Sequence, residues 1–272
     1  MTGTPEFTRP LRPTIAELRE VTQPASVRGR RTAEHWTGDL YMRHISPYVT
    51  RLLLPTGISA NGVTWLMIVS GWLASAALLI NGIAGPVLAV LATQLQMMWD
   101  ACDGEVARWR GTSSPAGIFL DKVGHYSVET FIALALGVRA AGGPREVTHH
   151  LGWMTLAALL AWLLCLNKAL NDMVRAARAA AGVAPLPDTA AVSTPRSGGL
   201  AVLRSAARFV PFHRIYHSIE LTLVILAVAI VDAVRGDLAG THVLLAALVP
   251  LAALSVLGHF VAIIASDRVR AA

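Results

Sequence analysis

Three carboxylates set the chemistry available to this 272-residue chain. Asp100, Asp103 and Asp121 fall within residues 99–129, WDACDGEVARWRGTSSPAGIFLDKVGHYSVE, in or beside segments apolar enough to lie in a bilayer. A charge at membrane depth costs about 3 kcal/mol or more unless something holds it, so acids clustered there mark a functional site. On a helix, offsets of three, four, seven and eight return to one face. Asp100, Asp103, Gly104, Ala107 and Arg108 therefore share a stripe, with two small residues beside the acids and a cation ending the row. Gly117, Asp121, His125 and Glu129 form a second stripe, each one turn after the last. The polar stretch from Arg110 to Pro115 separates them and suits a helix stop followed by a new start. The spacing predicts an antiparallel hairpin on which both acid faces can converge. Carboxylates suit Mg²⁺ or Mn²⁺, and three or four acids among small residues suit a pair of such ions. Two ions about 3.5–4 Å apart can stabilise the charge on a phosphoryl group under in-line attack. Gly104 and Gly117 would let a bulky substrate approach the backbone.

The elements that must position these residues are long and apolar. With 54% hydrophobic residues, 15% charged residues and a mean hydropathy of +0.53, the chain reads as an all-α polytopic membrane protein rather than a soluble domain. Six runs near or above the roughly 20 residues needed to span a bilayer are predicted as transmembrane helices. They cover about 58–80, 84–108, 116–140, 151–181, 215–234 and 241–266. A Pro-, Ser- and Gly-containing loop joins the fourth to the fifth. Residues 1–34 are polar and Arg-rich, without the apolar run of a signal peptide, and read as a cytoplasmic arm. From Trp36 to Leu54 the pattern is amphipathic, with Tyr41, Ile45, Tyr48 and Leu52 at helical spacing. Ser46 is expected to cap a helix that restarts at Pro47. Such a juxtamembrane helix fits the membrane surface or the protein's own cytoplasmic face. Two parts follow: 1–57, the arm and interfacial helix, and 58–272, the six-helix domain.

With the N-terminus inside, eighteen Lys and Arg face the cytoplasm and three, Arg139, Arg145 and Arg235, face the other side. That bias places both chain ends and the acid cluster on the cytoplasmic (inner) side of the membrane. It also accounts for the net charge of +6 through anionic membrane lipids rather than nucleic acid. Cys102 and Cys165 lie in apolar segments without metal spacing and read as reduced core residues.

The run Asp100-x-x-Asp103-Gly104-x-x-Ala107-Arg108, eight residues, then Gly117-x-x-x-Asp121-x-x-x-His125, resembles the signature of the CDP-alcohol phosphotransferase (CDP-alcohol phosphatidyltransferase) family, DxxDGxxARx₈GxxxDxxxD. Seven of the eight fixed positions match; His125 stands where the family has its last Asp. The resemblance implies a six-helix integral membrane enzyme of phospholipid biosynthesis, a homodimer using two divalent cations, Mg²⁺ or Mn²⁺. It would move a substituted phosphoryl group, a phosphatidyl group for a CDP-diacylglycerol donor, from a CDP-alcohol to an alcohol acceptor and release CMP. By that resemblance Asp100, Asp103, Asp121 and His125 are metal ligands, and Asp121 and His125 are catalytic. Arg108 holds the diphosphate, with Gly104, Ala107 and Gly117 beside the bound nucleotide. The entry ISANGVT resembles the family's PNxVT, with Ala60 for Pro, and puts Asn61 and Thr64 at the cytidine pocket. Basic residues of later helices, here Lys168, Arg175 and Arg214, would take a phosphorylated polyol acceptor such as inositol phosphate or glycerol phosphate.

Other readings of the same residues stay open. The acids could be interfacial and paired with Arg108 and Lys122, Arg108 a positive-inside anchor, and the basic residues of the later helices headgroup contacts. His125 could take the acceptor's proton, ligate a softer ion such as Mn²⁺, or mark a chain that binds a CDP-lipid without turning it over. Glu129 could supply the missing carboxylate or orient the imidazole. A divalent-cation transporter would require polar residues continuing to the far side, and the acids cluster at one depth.

Overall fold

The computed structural model describes residues 9–24, 38–184, 215–266 and 268–269, all helical or in connecting turns, with no strand among them. Eight α-helices are present among these residues: α1 Ile15–Thr22, α2 Arg43–Leu53, α3 Ala60–Ala77, α4 Ala84–Arg110, α5 Pro115–Ala140, α6 Leu151–Ala180, α7 Ser218–Arg235 and α8 Ala239–Ile264. The last six correspond to the six apolar runs. By length and composition, α6 and α8 can cross a membrane. The rest are shorter or more polar: α7 carries Glu220, Asp232 and Arg235 in 18 residues, and α4 and α5 carry the acidic stripes. Trp36, Arg214 and the loop from 185 to 214 lie outside the described residues.

The chain divides into two compact units, one formed by Met1–Gly71 with Gln94–His125 and the other by Trp72–Thr93 with Tyr126–Ala272. In the first, α1 begins in a capping box. Thr14 Oγ1 accepts from the Glu17 amide (3.2 Å) and Glu17 Oε2 accepts from the Thr14 amide (2.7 Å). These bonds hold the Glu17 carboxyl below the usual glutamate range. Leu18 packs into a core with Leu54, Val63, Cys102, Val106 and Trp109.

Helix α2 corrects the expected restart at Pro47. It runs unbroken from Arg43, and Pro47 lies inside it. Proline has no N–H for the carbonyl four residues back, here that of Arg43. The Gln23 side chain replaces that donor, its Nε2 lying 2.9 Å from Arg43 O. Ser46, rather than capping, donates to Glu105. The helix is also turned against the usual amphipathic sense. Ser46, Pro47 and Thr50 are buried, whereas Ile45, Tyr48 and Leu52 are 45%, 54% and 74% exposed.

Between α4 and α5, Gly111 adopts a left-handed conformation (φ 66°) and the Thr112 amide closes on Ala107 O at 3.0 Å. Ser114 Oγ then accepts from the Gly117 amide at 3.1 Å, and Pro115 takes the first helical position, where its missing N–H matters least.

In the second unit the core joins α5, α6, α7 and α8 through Val128, Ile132, Leu136, Leu160, Leu164, Leu221, Ile225, Leu245 and Leu248. Asp232 near the end of α7 accepts from Gly240 N (2.7 Å), Thr241 N (3.0 Å) and Thr241 Oγ1 (2.6 Å), which caps α8 and closes the α7–α8 hairpin.

Candidate active site

The acidic stripe of α4 and the start of α5 line one cavity of about 510 Å³. All ten residues assigned from the signature and the helix entry stand on its wall: Asn61, Thr64, Asp100, Asp103, Gly104, Ala107, Arg108, Gly117, Asp121 and His125. One ligand atom each from Asp100, Asp121 and His125 lies within 4.8 Å of the other two. His125 Nε2 is 3.0 Å from Asp100 Oδ1 and 3.4 Å from Asp121 Oδ1. His125 Nε2 and Asp100 Oδ1 are thus at hydrogen-bond distance, the place of the proton following the tautomer of the imidazole.

Asp103 has a hydrogen-bond partner of its own. Its Oδ2 accepts from Thr64 Oγ1 at 2.7 Å, and the same hydroxyl reaches Ala60 O at 3.1 Å in the first turn of α3. Ser59 caps that turn by accepting from the Gly62 amide. The entry to α3 thus fixes one motif carboxylate. Asn61 Oδ1 stands so close to α5 that a Cβ on Gly117 would lie 3.1 Å from it.

Gly104 serves a neighbour as well as a ligand. A Cβ there would lie 2.8 Å from Arg108 Nη1 and 3.1 Å from Nη2, so the guanidinium folds back over the glycine. Arg108 Nε donates to Thr22 O at 2.6 Å.

Glu105 is a further residue of this region, and the signature spacing alone does not single it out. It is fully buried, and its oxygens accept from Ser46 Oγ (2.6 Å), Thr50 Oγ1 (2.7 Å) and Gln23 Nε2 (2.8 Å). The available signal was a lone acid on the otherwise apolar stripe Cys102, Val106 and Trp109. Met42, Arg43 and the turn residues Thr112, Ser113 and Ser114 also line the cavity.

Of the residues expected to bind the acceptor, Lys168 has its Nζ 2.8 Å from Glu129 Oε1, an oxygen that His217 Nδ1 approaches to 3.2 Å. Glu129 is buried and committed to that trio within the second unit. Arg175 is exposed, and Arg214 is outside the described residues.

The model of the CDP-alcohol phosphatidyltransferase family matches residues 57–195, just over half of the chain. The chain belongs to the CDP-alcohol phosphatidyltransferase family. No curated protein matches it. Membership makes a CDP-alcohol and an alcohol acceptor the substrate classes and transfer the general activity, and members of the family are membrane-bound and use divalent metal ions. The donor set fits such an ion: converging carboxylate oxygens with one imidazole nitrogen suit a divalent cation.

Proposed function

We propose that the chain is an inner-membrane phosphotransferase with six transmembrane helices and its active site facing the cytoplasm. It would move a phosphatidyl group from CDP-diacylglycerol, or another substituted phosphoryl group from a CDP-alcohol, to an alcohol acceptor in phospholipid synthesis. The observation that carries this reading is the convergence of Asp100, Asp121 and His125 in the cavity walled by the rest of the signature. Membrane placement is supported by outward-facing apolar side chains: Leu91, Phe119 and Leu254 are 61%, 68% and 65% exposed. The outward stripe of α2 agrees with an interfacial position.

In this reading Asp100, Asp103, Asp121 and His125 would hold the two divalent cations, which would supply positive charge to the diphosphate. Asn61, Thr64 and Gly117 face the cytidine, and Arg108 offers a guanidinium fork to the phosphates. The acceptor oxygen attacks the phosphorus distal to cytidine, the bond from that phosphorus to the CMP oxygen breaks, and CMP leaves. As the alternative to ligating a cation, His125 takes the hydroxyl proton. In that role the neutral imidazole takes the proton on its free ring nitrogen, and the Asp100 carboxylate beside it stabilises the imidazolium that forms. Base and ligand are alternative roles for the one imidazole, because a ring that would ligate through one nitrogen carries its proton on the other and has no free lone pair. A phosphorylated polyol is the proposed acceptor, and a homodimer the proposed assembly.

The test is CMP release from CDP-diacylglycerol by purified protein in liposomes, with Mg²⁺ or Mn²⁺ and a panel of alcohols, for wild type, His125→Ala and His125→Asp. Acceptor-dependent CMP that disappears in the Ala variant supports the reading. CMP from the Asp variant alone would identify the natural chain as a silenced relative that binds CDP-lipid. No CMP from either across CDP-alcohol donors would refute the reading.

A further inference from the structure

The segment from Arg9 to Pro24 lies outside the family match, yet several of its polar bonds fall on the signature helix. Arg9 Nη1 donates to the carbonyls of Arg108 (2.7 Å) and Trp109 (2.8 Å), and its guanidinium lies 5.3 Å from the Trp109 ring centroid. The Trp109 indole returns a bond to Pro10 O at 3.2 Å. The last carbonyls of an α-helix have no partner within it and carry partial negative charge. At the end of α1 one of these, Thr22 O, meets Arg108 Nε. The next residue, Gln23, anchors that end twice: its amide N–H closes on Arg19 O at 2.9 Å, and its Nε2 bridges Arg43 O and the buried Glu105. These contacts engage Glu105, Arg108 and Trp109, within the helical turns that follow Asp103.

We propose that this N-terminal segment positions Arg108 for the donor's diphosphate, with Gln23 as the positioning residue that holds the Thr22 carbonyl against Nε. The inference rests on the reading of Arg108 given above. With Nε engaged by a fixed carbonyl, the two terminal nitrogens lie over Gly104 on the cavity wall, and the rotamer freedom of a long side chain is surrendered before the nucleotide arrives. Gln23 also supplies the donor that Pro47 withholds from Arg43, and Arg43 itself lines the cavity. Gln23 thus bonds the backbone of one cationic wall residue and adjoins the carbonyl that holds the other.

The test compares full-length wild type, Gln23→Met, Arg108→Ala and the double variant, reading the Kd of CDP by calorimetry, the melting temperature, and KM against kcat for the donor. Methionine keeps the volume of glutamine and removes its donors. Gln23→Met is expected to weaken CDP about tenfold and to raise KM more than it lowers kcat. The double variant is expected to bind no more weakly than Arg108→Ala, because two residues that act as one unit are not additive. A bond that only supported the fold would lower the melting temperature and leave the Kd of the folded protein unchanged. That result, or an undiminished effect of Gln23→Met in the Arg108→Ala background, overturns the proposal. Wild-type affinity in Arg108→Ala alone would overturn the diphosphate role of Arg108 and this inference with it. If Gln23→Met does not fold, Arg9→Ala, which releases the other end of the segment, is expected to weaken CDP several-fold and again non-additively; unchanged affinity there overturns the proposal too.

Discussion

Substituting Gly104 by alanine should move stability and ligand binding in opposite directions. In mid-helix, alanine is favoured over glycine by about 0.5–1 kcal/mol, because glycine loses more backbone freedom on folding. The new methyl group would stand 2.8 Å from Arg108 Nη1 and 3.3 Å from Cζ, distances that real Cβ contacts do not reach or seldom reach. Those atoms end a flexible side chain, so the helix stays and the guanidinium moves. Hydrogen bonds to a charged group contribute about 1.5–3 kcal/mol, and each 1.4 kcal/mol is tenfold in affinity, so CDP should bind roughly ten- to a hundredfold more weakly. The assay pairs thermal unfolding of the detergent-purified protein with CDP titration. A higher melting temperature with weaker CDP binding supports the assignment. An unchanged Kd would show that the guanidinium has no part in holding the nucleotide, and a large loss of stability would show that the methyl meets something less yielding than Arg108.

Two further outcomes follow from the second unit and from the turn between the acid stripes. Lys168→Met leaves buried Glu129 without its closest cation, so it should destabilise the protein by about 3–5 kcal/mol, and adding Glu129→Gln should recover much of that loss; thermal unfolding of the pair would show whether Lys168 is the structural counter-ion of Glu129, and wild-type stability in the single variant would refute it. Ser113→Cys, in the exposed turn between α4 and α5, should react with a membrane-impermeant thiol reagent only from the cytoplasmic side of oriented vesicles, and labelling from the other side would reverse the proposed topology.

Local spacing was enough to read the helices and the acidic stripes. Offsets of three and four residues put Asp100 with Asp103 and Asp121 with His125 whatever the rest of the chain does, and Gly111 and Ser114 to Pro115 mark where one helix stops and the next starts. The six long apolar runs reappear as six long helices, their ends shifted by a few residues. What spacing could not supply was partner choice between residues far apart in the chain. Thr64 meets Asp103 across 39 residues, Arg108 meets Thr22 across 86, and Glu105 collects donors from α2 and from Gln23 just past α1. The hydroxyl and amide types that serve there are equally at home as caps or surface residues, so no periodicity marks them. Pro47 misled for the same reason: in isolation it signals a helix start, and only the distant Gln23 amide makes it tolerable inside one. The sequence by itself determined which groups share a helical face, because that follows from the backbone repeat. The tertiary structure decided that Lys168 answers Glu129, that Thr64 holds Asp103, and that the N-terminal segment grips the signature helix, because those pairings depend on how buried polar groups find partners once the helices pack.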